Sequence, residues 1–223
     1  MHPRQPDAAP TPSPAARRTA VVIPVRALEG AKSRLGAVLD AEERRELVGL
    51  LLRATVDAAV RARGVDLVAV VSPDPDALAV GVAGGAEPIL QHSSGLNPGL
   101  VEGRDRLGAR ADRLLVLPAD LPGIVPADIE AVLAAANAAR RSVERVVVLA
   151  PDRHGRGTNA LLLDPPAVLE PAFGGDSRLA HAGLARAARA AYVEVPDVLD
   201  TDLDTPDDLL MIEAIRPEAL HVH

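Results

Sequence analysis

Asp120 stands in Arg113–Gly123, RLLVLPADLPG, directly after an apolar run and between small residues and prolines. A carboxylate at that place offers hard oxygen to Mg²⁺, which binds through one or two carboxylates plus substrate phosphates. The alternative for a lone Asp is an Asx-turn, with the side chain bonding only nearby backbone. Upstream, RALEGAKSRL places Arg26, Lys32 and Arg34 around Gly30. Three cations so close together in a net-acidic chain suit a polyphosphate; a solvated charged loop is the alternative. The lysine lacks the directly preceding glycine of a Walker loop, and no GxGxxG occurs. Downstream, DTDLDTPDDL carries Asp200, Asp202 and Asp204 just before a helix start formed by Thr205, Pro206 and Asp208. One residue suffices for a cap, so three spaced carboxylates suggest a second cation-binding arm, with an acidic loop as the alternative.

Two more stretches could hold ligands. QHSSGLNPGLVEG brackets Asn97 between Gly95 and Gly99. Its side chains and amides could read the edge of a base, or Ser94 or Asn97 could simply cap a helix through Leu107. FGGDSRLAHAG leads through Gly174 and Gly175 to Asp176 and Ser177 at a helix start, where free amides and the helix dipole favour an anion. His181 follows Ser177 by one turn on the same face.

The composition narrows the classes. The chain has 223 residues, 48 % of them hydrophobic, with one Phe, one Tyr and no Trp. Base recognition by aromatic stacking is therefore disfavoured. The net charge of −7 and dispersed basic residues argue against a nucleic-acid surface. Absence of cysteine excludes thiol nucleophiles and thiolate metal sites. No apolar run reaches membrane-spanning length and the N-terminus lacks an apolar core. The expectation is a soluble cytoplasmic protein with no nucleic-acid or membrane partner; a homodimer is compatible with the chain.

The elements must bring these stretches together. Residues 1–18 contain five prolines and little to bury, the pattern of a disordered tail. Strands are expected at Thr19–Val25, Val65–Ser72, Glu87–Gln91, Leu114–Leu117, Glu144–Ala150, from Thr158 to Leu163, and at Tyr192–Val195. Helices are expected from the Asp40/Glu43 capping pair to about Ala62, from Asp76 to Val82, over Pro126–Arg140, and from Ser177 to about Ala190. Such alternation implies mostly parallel strands with crossover helices. In sheets of that kind ligands bind beyond the carboxyl ends of the strands, where Asp120 and the basic loop fall. The domains read as a tail at 1–18, a single domain at 19–216 and a C-terminal tail at 217–223.

IPVRALEGAKSRL, GLNPGL, LPADLPG, GRGTNALLL, FGGDSRLAH and DLDTPDDL occur in this order. Together they resemble the 2-phospho-L-lactate guanylyltransferase (CofC/FbiD) family over about Thr19–Ile215. The first stretch and LPADLPG mark its wider superfamily; GRGTN with FGGDSRLAH is more specific. The resemblance implies an α/β, Rossmann-like (glycosyltransferase-A-like) nucleotidyltransferase fold, with a mixed, mostly parallel sheet flanked by helices. It implies transfer of GMP from GTP to phosphoenolpyruvate or 2-phospho-L-lactate, with pyrophosphate released, in coenzyme F-420 biosynthesis. By motif position, Arg26, Lys32 and Arg34 hold the GTP phosphates, and Gly95 and Asn97 lie by the guanine. Asp120 binds Mg²⁺ with Asp202 or Asp204, and Thr158, Gly174 and Ser177 hold the acceptor. Asp120, Lys32 and Arg26 are the expected catalytic residues. Pro98, directly after Asn97, departs from the expected pattern and removes one amide donor. The chemistry agrees: an anionic phosphate nucleophile needs no general base, only charge neutralisation and in-line alignment. The competing readings are another nucleotidyltransferase, of the molybdenum-cofactor or sugar-phosphate type, and a non-catalytic nucleotide-binding regulator.

Overall fold

The computed structural model describes residues 17–28, 31–199 and 202–215, with side chains only to Leu210 in the last segment. Gly30, Asp200, most of the expected N-terminal tail and the C-terminal tail lie outside the described residues. Seven strands form one sheet: β1 (Thr19–Pro24), β2 (Leu67–Ser72), β3 (Glu87–Leu90), β4 (Arg113–Val116), β5 (Val146–Pro151), β6 (Thr158–Asp164) and β7 (Ala191–Glu194), in the order β3-β2-β1-β4-β6-β5-β7. Neighbours pair in parallel except β6, which runs antiparallel to β4 and β5. The sheet is therefore mixed and mostly parallel, as the sequence implies.

The helices are α1 (Ala41–Arg61), α2 (Pro75–Ala83), α3 (Leu96–Leu107), α4 (Pro126–Arg140), α5 (Ser177–Ala187) and α6 (Pro206–Ile215). The apolar strand runs are buried on both faces because alternate residues serve different layers. Val21, Ile23 and Leu115 face Leu52 and Val56 of α1 and Ile129 and Val132 of α4. Ala20, Val22, Leu114 and Val116 face the other way, toward Leu100 of α3 and Ala185 of α5. Gly103 lets α3 approach the sheet: a Cβ there would lie 2.8 Å from Val71 Cγ2.

Local signals behave largely as read. Asp40 accepts from the amides of Glu42 and Glu43, and the Glu43 carboxylate accepts from the Asp40 amide at 2.7 Å, a reciprocal cap that starts α1. The start of α3 differs: neither Ser94 nor Asn97 caps it. Gly95 does, at φ 102° and without a side-chain bond. Only glycine adopts that backbone freely. At the other end of the sheet, Arg17 and Arg18 of the expected tail are engaged. The Arg17 guanidinium lies 2.7 Å from the buried Asp164 carboxylate, and the Arg18 carbonyl accepts from the Asp112 and Arg113 amides.

Candidate active site

The carboxyl ends of β1 and β4 open into a cleft of about 550 Å³, bordered by Arg26, Lys32, Leu96, Asp120, Phe173 and Asp204. The chain leaves β1 through Arg26, which is exposed, and reaches Lys32 in a left-handed conformation, φ 52° and ψ 40°. That turn carries Lys32 into the cleft. Its ammonium donates to Asp120 Oδ2 at 2.8 Å and to Asp204 Oδ1 at 2.7 Å, partners 88 and 172 residues away in sequence. A small apolar cluster fixes the approach: Leu35, just past Lys32, packs with Leu203, just before Asp204, on Leu47 and Leu51 of α1. The Leu203 amide donates to the Asp120 carbonyl at 3.1 Å, so the late acidic arm lies against the LPADLPG turn.

Burial alone would lower the Lys32 pKa, but Asp120 and Asp204 outweigh it and hold the ammonium above its ordinary range. Asp202 shows the opposite need. Burial, followed by the nearby charges of Asp120 and Asp204, pushes its carboxyl up. Carboxylates thus converge on one point, with a cation between two of them. Among the described residues no three such groups stand as a ready-made metal cage. A Mg²⁺ bound through one or two carboxylates plus phosphates needs no cage, and Asp120 with Asp204 meets that requirement. Arg34 stands at the mouth, 74 % exposed and 4.0 Å from Asp204.

Behind Phe173, which borders the cleft and packs edge-on against His181, Thr158 at the start of β6, Ser177 at the start of α5 and His181 one turn on meet in a buried polar knot. Ser177 Oγ and Thr158 Oγ1 are 2.9 Å apart, and Thr158 Oγ1 lies 3.1 Å from His181 Nδ1. Ser177 is 1 % exposed and Thr158 6 %. Ser177 does not cap α5; Asp176 holds the cap position and pairs with Arg156 instead. Gly174 and Gly175 precede the helix with open space where a Cβ would stand, which leaves room for a ligand at the backbone.

The expected base-reading side chain is already committed. Asn97 donates to the Phe173 carbonyl at 3.0 Å and accepts from the Phe173 amide at 2.8 Å. Both halves of its amide thus clamp the FGG turn to the start of α3. Gly95 remains beside the cleft with its backbone only, as the cap of α3.

The family model described as "Guanylyl transferase CofC like" matches residues 19–215. The chain belongs to this family. Phosphoenolpyruvate guanylyltransferase of Sphaerobacter thermophilus is 46 % identical over 193 residues, covering 86 % of this chain and 90 % of that protein. The enzyme of the same name from Rubrobacter xylanophilus is 46 % identical over 196 residues, covering 86 % and 92 %. Among solved structures, a protein of Desulfovibrio desulfuricans G20 assigned to the nucleotide-diphospho-sugar transferases superposes at TM-score 0.69 with 19 % identity, over 90 % of this chain and 87 % of that one. Glucosyl-3-phosphoglycerate synthase of Mycobacterium tuberculosis, solved with Mg²⁺ and UDP, superposes at 0.62 with 14 % identity, over 88 % and 75 %. These likenesses place the fold with the glycosyltransferase-A-like nucleotidyltransferases.

As a CofC-like guanylyltransferase the chain is a nucleotidyltransferase, and the candidate site includes residues that its motifs do not single out. Phe173 and Leu96 form an apolar wall of the cleft. Asp208 is 2 % exposed, accepts from the Asp204 and Thr205 amides at 2.9 and 2.7 Å, and pairs with Arg153. It therefore orients Asp204 from behind. The Thr205-x-x-Asp208 spacing signals the cap, but nothing in the sequence links it to Arg153.

Proposed function

We propose that this enzyme transfers GMP from GTP to phosphoenolpyruvate. The observation that carries the reading is the convergence of Asp120 and Asp204 on one cation position, in a cleft whose mouth holds the exposed cations Arg26 and Arg34. The guanylyltransferase family and the names of the 46 %-identical relatives support guanine and phosphoenolpyruvate over other choices.

In this reading Arg26, Arg34 and Lys32 draw in the triphosphate and offset its charge. Asp120 and Asp204, with Asp202 beside them, would hold Mg²⁺, which supplies Lewis-acid polarisation of the phosphate oxygens when bound. The acceptor's phosphate oxygen attacks the α-phosphorus of GTP, a new P–O–P link forms, and the bond to the departing pyrophosphate breaks. The attacking oxygen is already anionic, so no general base is required. In the same reading Thr158, Gly174 and Ser177 are the acceptor wall, whose task is to hold the phospho-acid for in-line displacement. The product serves as a precursor in coenzyme F-420 biosynthesis.

Pyrophosphate release from GTP tests the proposal directly, with phosphoenolpyruvate and 2-phospho-L-lactate supplied separately. Release with phosphoenolpyruvate, faster than with 2-phospho-L-lactate and faster than from ATP, is expected. No release with either acceptor, despite GTP binding, would leave a non-catalytic regulator.

A further inference from the structure

His181 carries no role in the reaction described above, yet every polar atom of its ring is committed. It is completely buried. Its Nε2 lies 3.0 Å from the Ala172 amide nitrogen, which can only donate, so Nε2 accepts. Burial pushes its pKa down to about 4, and the ring is neutral near pH 7. A neutral imidazole has one proton, and with Nε2 accepting, that proton is on Nδ1. Nδ1 therefore donates to Thr158 Oγ1 at 3.1 Å.

This fixes the polarity of the whole knot. Thr158 and Ser177 share one hydrogen bond across 2.9 Å. Whichever of the two donates it, one hydroxyl hydrogen remains, and no other bond of these hydroxyls is made among the described residues. Had Nδ1 been the acceptor, Ser177 could donate to Thr158 and Thr158 to the ring, leaving nothing over. The Ala172 amide prevents this by claiming Nε2. A buried donor without an acceptor is costly, so the arrangement is one that a ligand oxygen completes.

We propose that His181 is a positioning residue that forces the Thr158–Ser177 pair to present a hydrogen-bond donor to an anionic oxygen of the acceptor phospho-acid. This rests on the acceptor wall assigned above. The ring also packs edge-on against Phe173, centroids 5.1 Å apart at 72°, so the same side chain fixes both the donor and the apolar wall beside it.

The test compares His181→Phe, which keeps a ring and loses both nitrogens, with His181→Asn, which retains an N–H toward Thr158. His181→Phe keeps the spare hydroxyl hydrogen but loses the Nδ1–H bond that directs it, so it should raise the acceptor KM roughly tenfold, as a misdirected hydrogen bond to a charged ligand loses most of its worth, while leaving the GTP KM within about twofold. His181→Asn should recover most of the loss. Equal rises in both KM values, or an Asn variant as poor as Phe, would overturn the inference. Wild type that releases no pyrophosphate with either phospho-acid would sink the functional reading instead. The ¹⁵N spectrum of His181 in the free wild-type enzyme decides the tautomer independently of folding in any variant. A proton on Nδ1 is expected, and one on Nε2 overturns the proposal whatever the acceptor is.

Discussion

At the scale of single residues, the centre of the molecule is the Lys32 ammonium between Asp120 and Asp204. Its 11 % exposure makes the pair energetically coupled rather than a surface contact of little worth. Lys32→Met leaves two carboxylates facing each other, and Lys32→Met with Asp120→Asn relieves that repulsion. Urea unfolding of the four proteins in the cycle should therefore show the double variant less destabilised than the sum of the singles, by about 1 kcal/mol within the usual range for contacting charges. Strict additivity would mean the ion pair is loose in solution. For turnover, Asp120→Asn should cost roughly a hundredfold or more in kcat with the fold retained. Asp204→Asn should cost more than Asp202→Asn, since Asp204 is the one that Lys32 selects. Near wild-type turnover by Asp120→Asn would remove it from the metal site. Asp120 was legible as a carboxylate after a buried strand. Its choice of Asp204 was not, because it depends on Leu203 meeting Leu35 across the fold. The roles expected of Asn97 and Ser177 looked alike in sequence, as polar residues in glycine loops, yet Asn97 is spent on Phe173. Sequence shows that a side chain can bond, not which partner reaches it first.

Secondary elements were more legible than side-chain partners where the signal is local. The Asp40/Glu43 box and Pro126 start their helices where the pattern places them. Gly95 as the cap of α3 was hidden because Ser94 and Asn97 beside it are better cap formers. Here the long-range clamp on Phe173 wins, and Asn97 lies inside the helix. That clamp makes a prediction about two elements at once. Asn97→Ala unties the start of α3 from the turn before α5, and should cost about 1–3 kcal/mol for the stranded Phe173 backbone groups. A raised GTP KM with unchanged melting temperature would instead restore Asn97 to the base. Helix α5 offers a pH test. His181 titrates near 6.5 when unfolded and about 4 when folded, so the unfolded state binds the proton first as pH falls. Stability from this group is intact above pH 6.5 and is lost between there and about 4. From pH 7 to pH 5 wild type should lose about 2 kcal/mol more unfolding free energy than His181→Phe, which lacks the titration. Parallel losses in denaturant titrations would show that the ring is solvated.

Over the whole molecule, the mixed sheet was legible as a class, and the one reversed strand could have been placed. Only residues 152–157 separate β5 from β6, too few for the crossover that parallel neighbours need. The order of strands was not legible, since apolar runs alike on both faces carry no address for their neighbours. The lower end of the sheet was also missed, and it bears on where the domain begins. Residues 1–16, rich in proline, should be dispensable: a chain starting at Arg17 should keep its melting temperature and turnover. A chain starting at Thr19 should not. It loses the Arg18 carbonyl that accepts from two amides of the β4 end, and the Arg17 guanidinium beside Asp164. Asp164 is 1 % exposed, with Arg140 the remaining cation at 3.6 Å. Burial already pushes its pKa up against the pull of Arg17, Arg140 and Arg113. A carboxyl with a raised folded pKa favours the folded state when protonated and opposes it when ionised. Removing Arg17 raises that pKa further and deepens the penalty at neutral pH. The shorter chain should therefore melt lower at pH 7.5, by roughly 4–8 °C for a deficit of about 2 kcal/mol in a domain of this size. The deficit should narrow as pH is lowered and Asp164 takes up its proton. Scanning calorimetry of both chains from pH 7.5 downward reads this directly. A deficit that stays constant with pH would assign the loss to the Arg18 backbone bonds alone, and no deficit at all would return Arg17 and Arg18 to the tail.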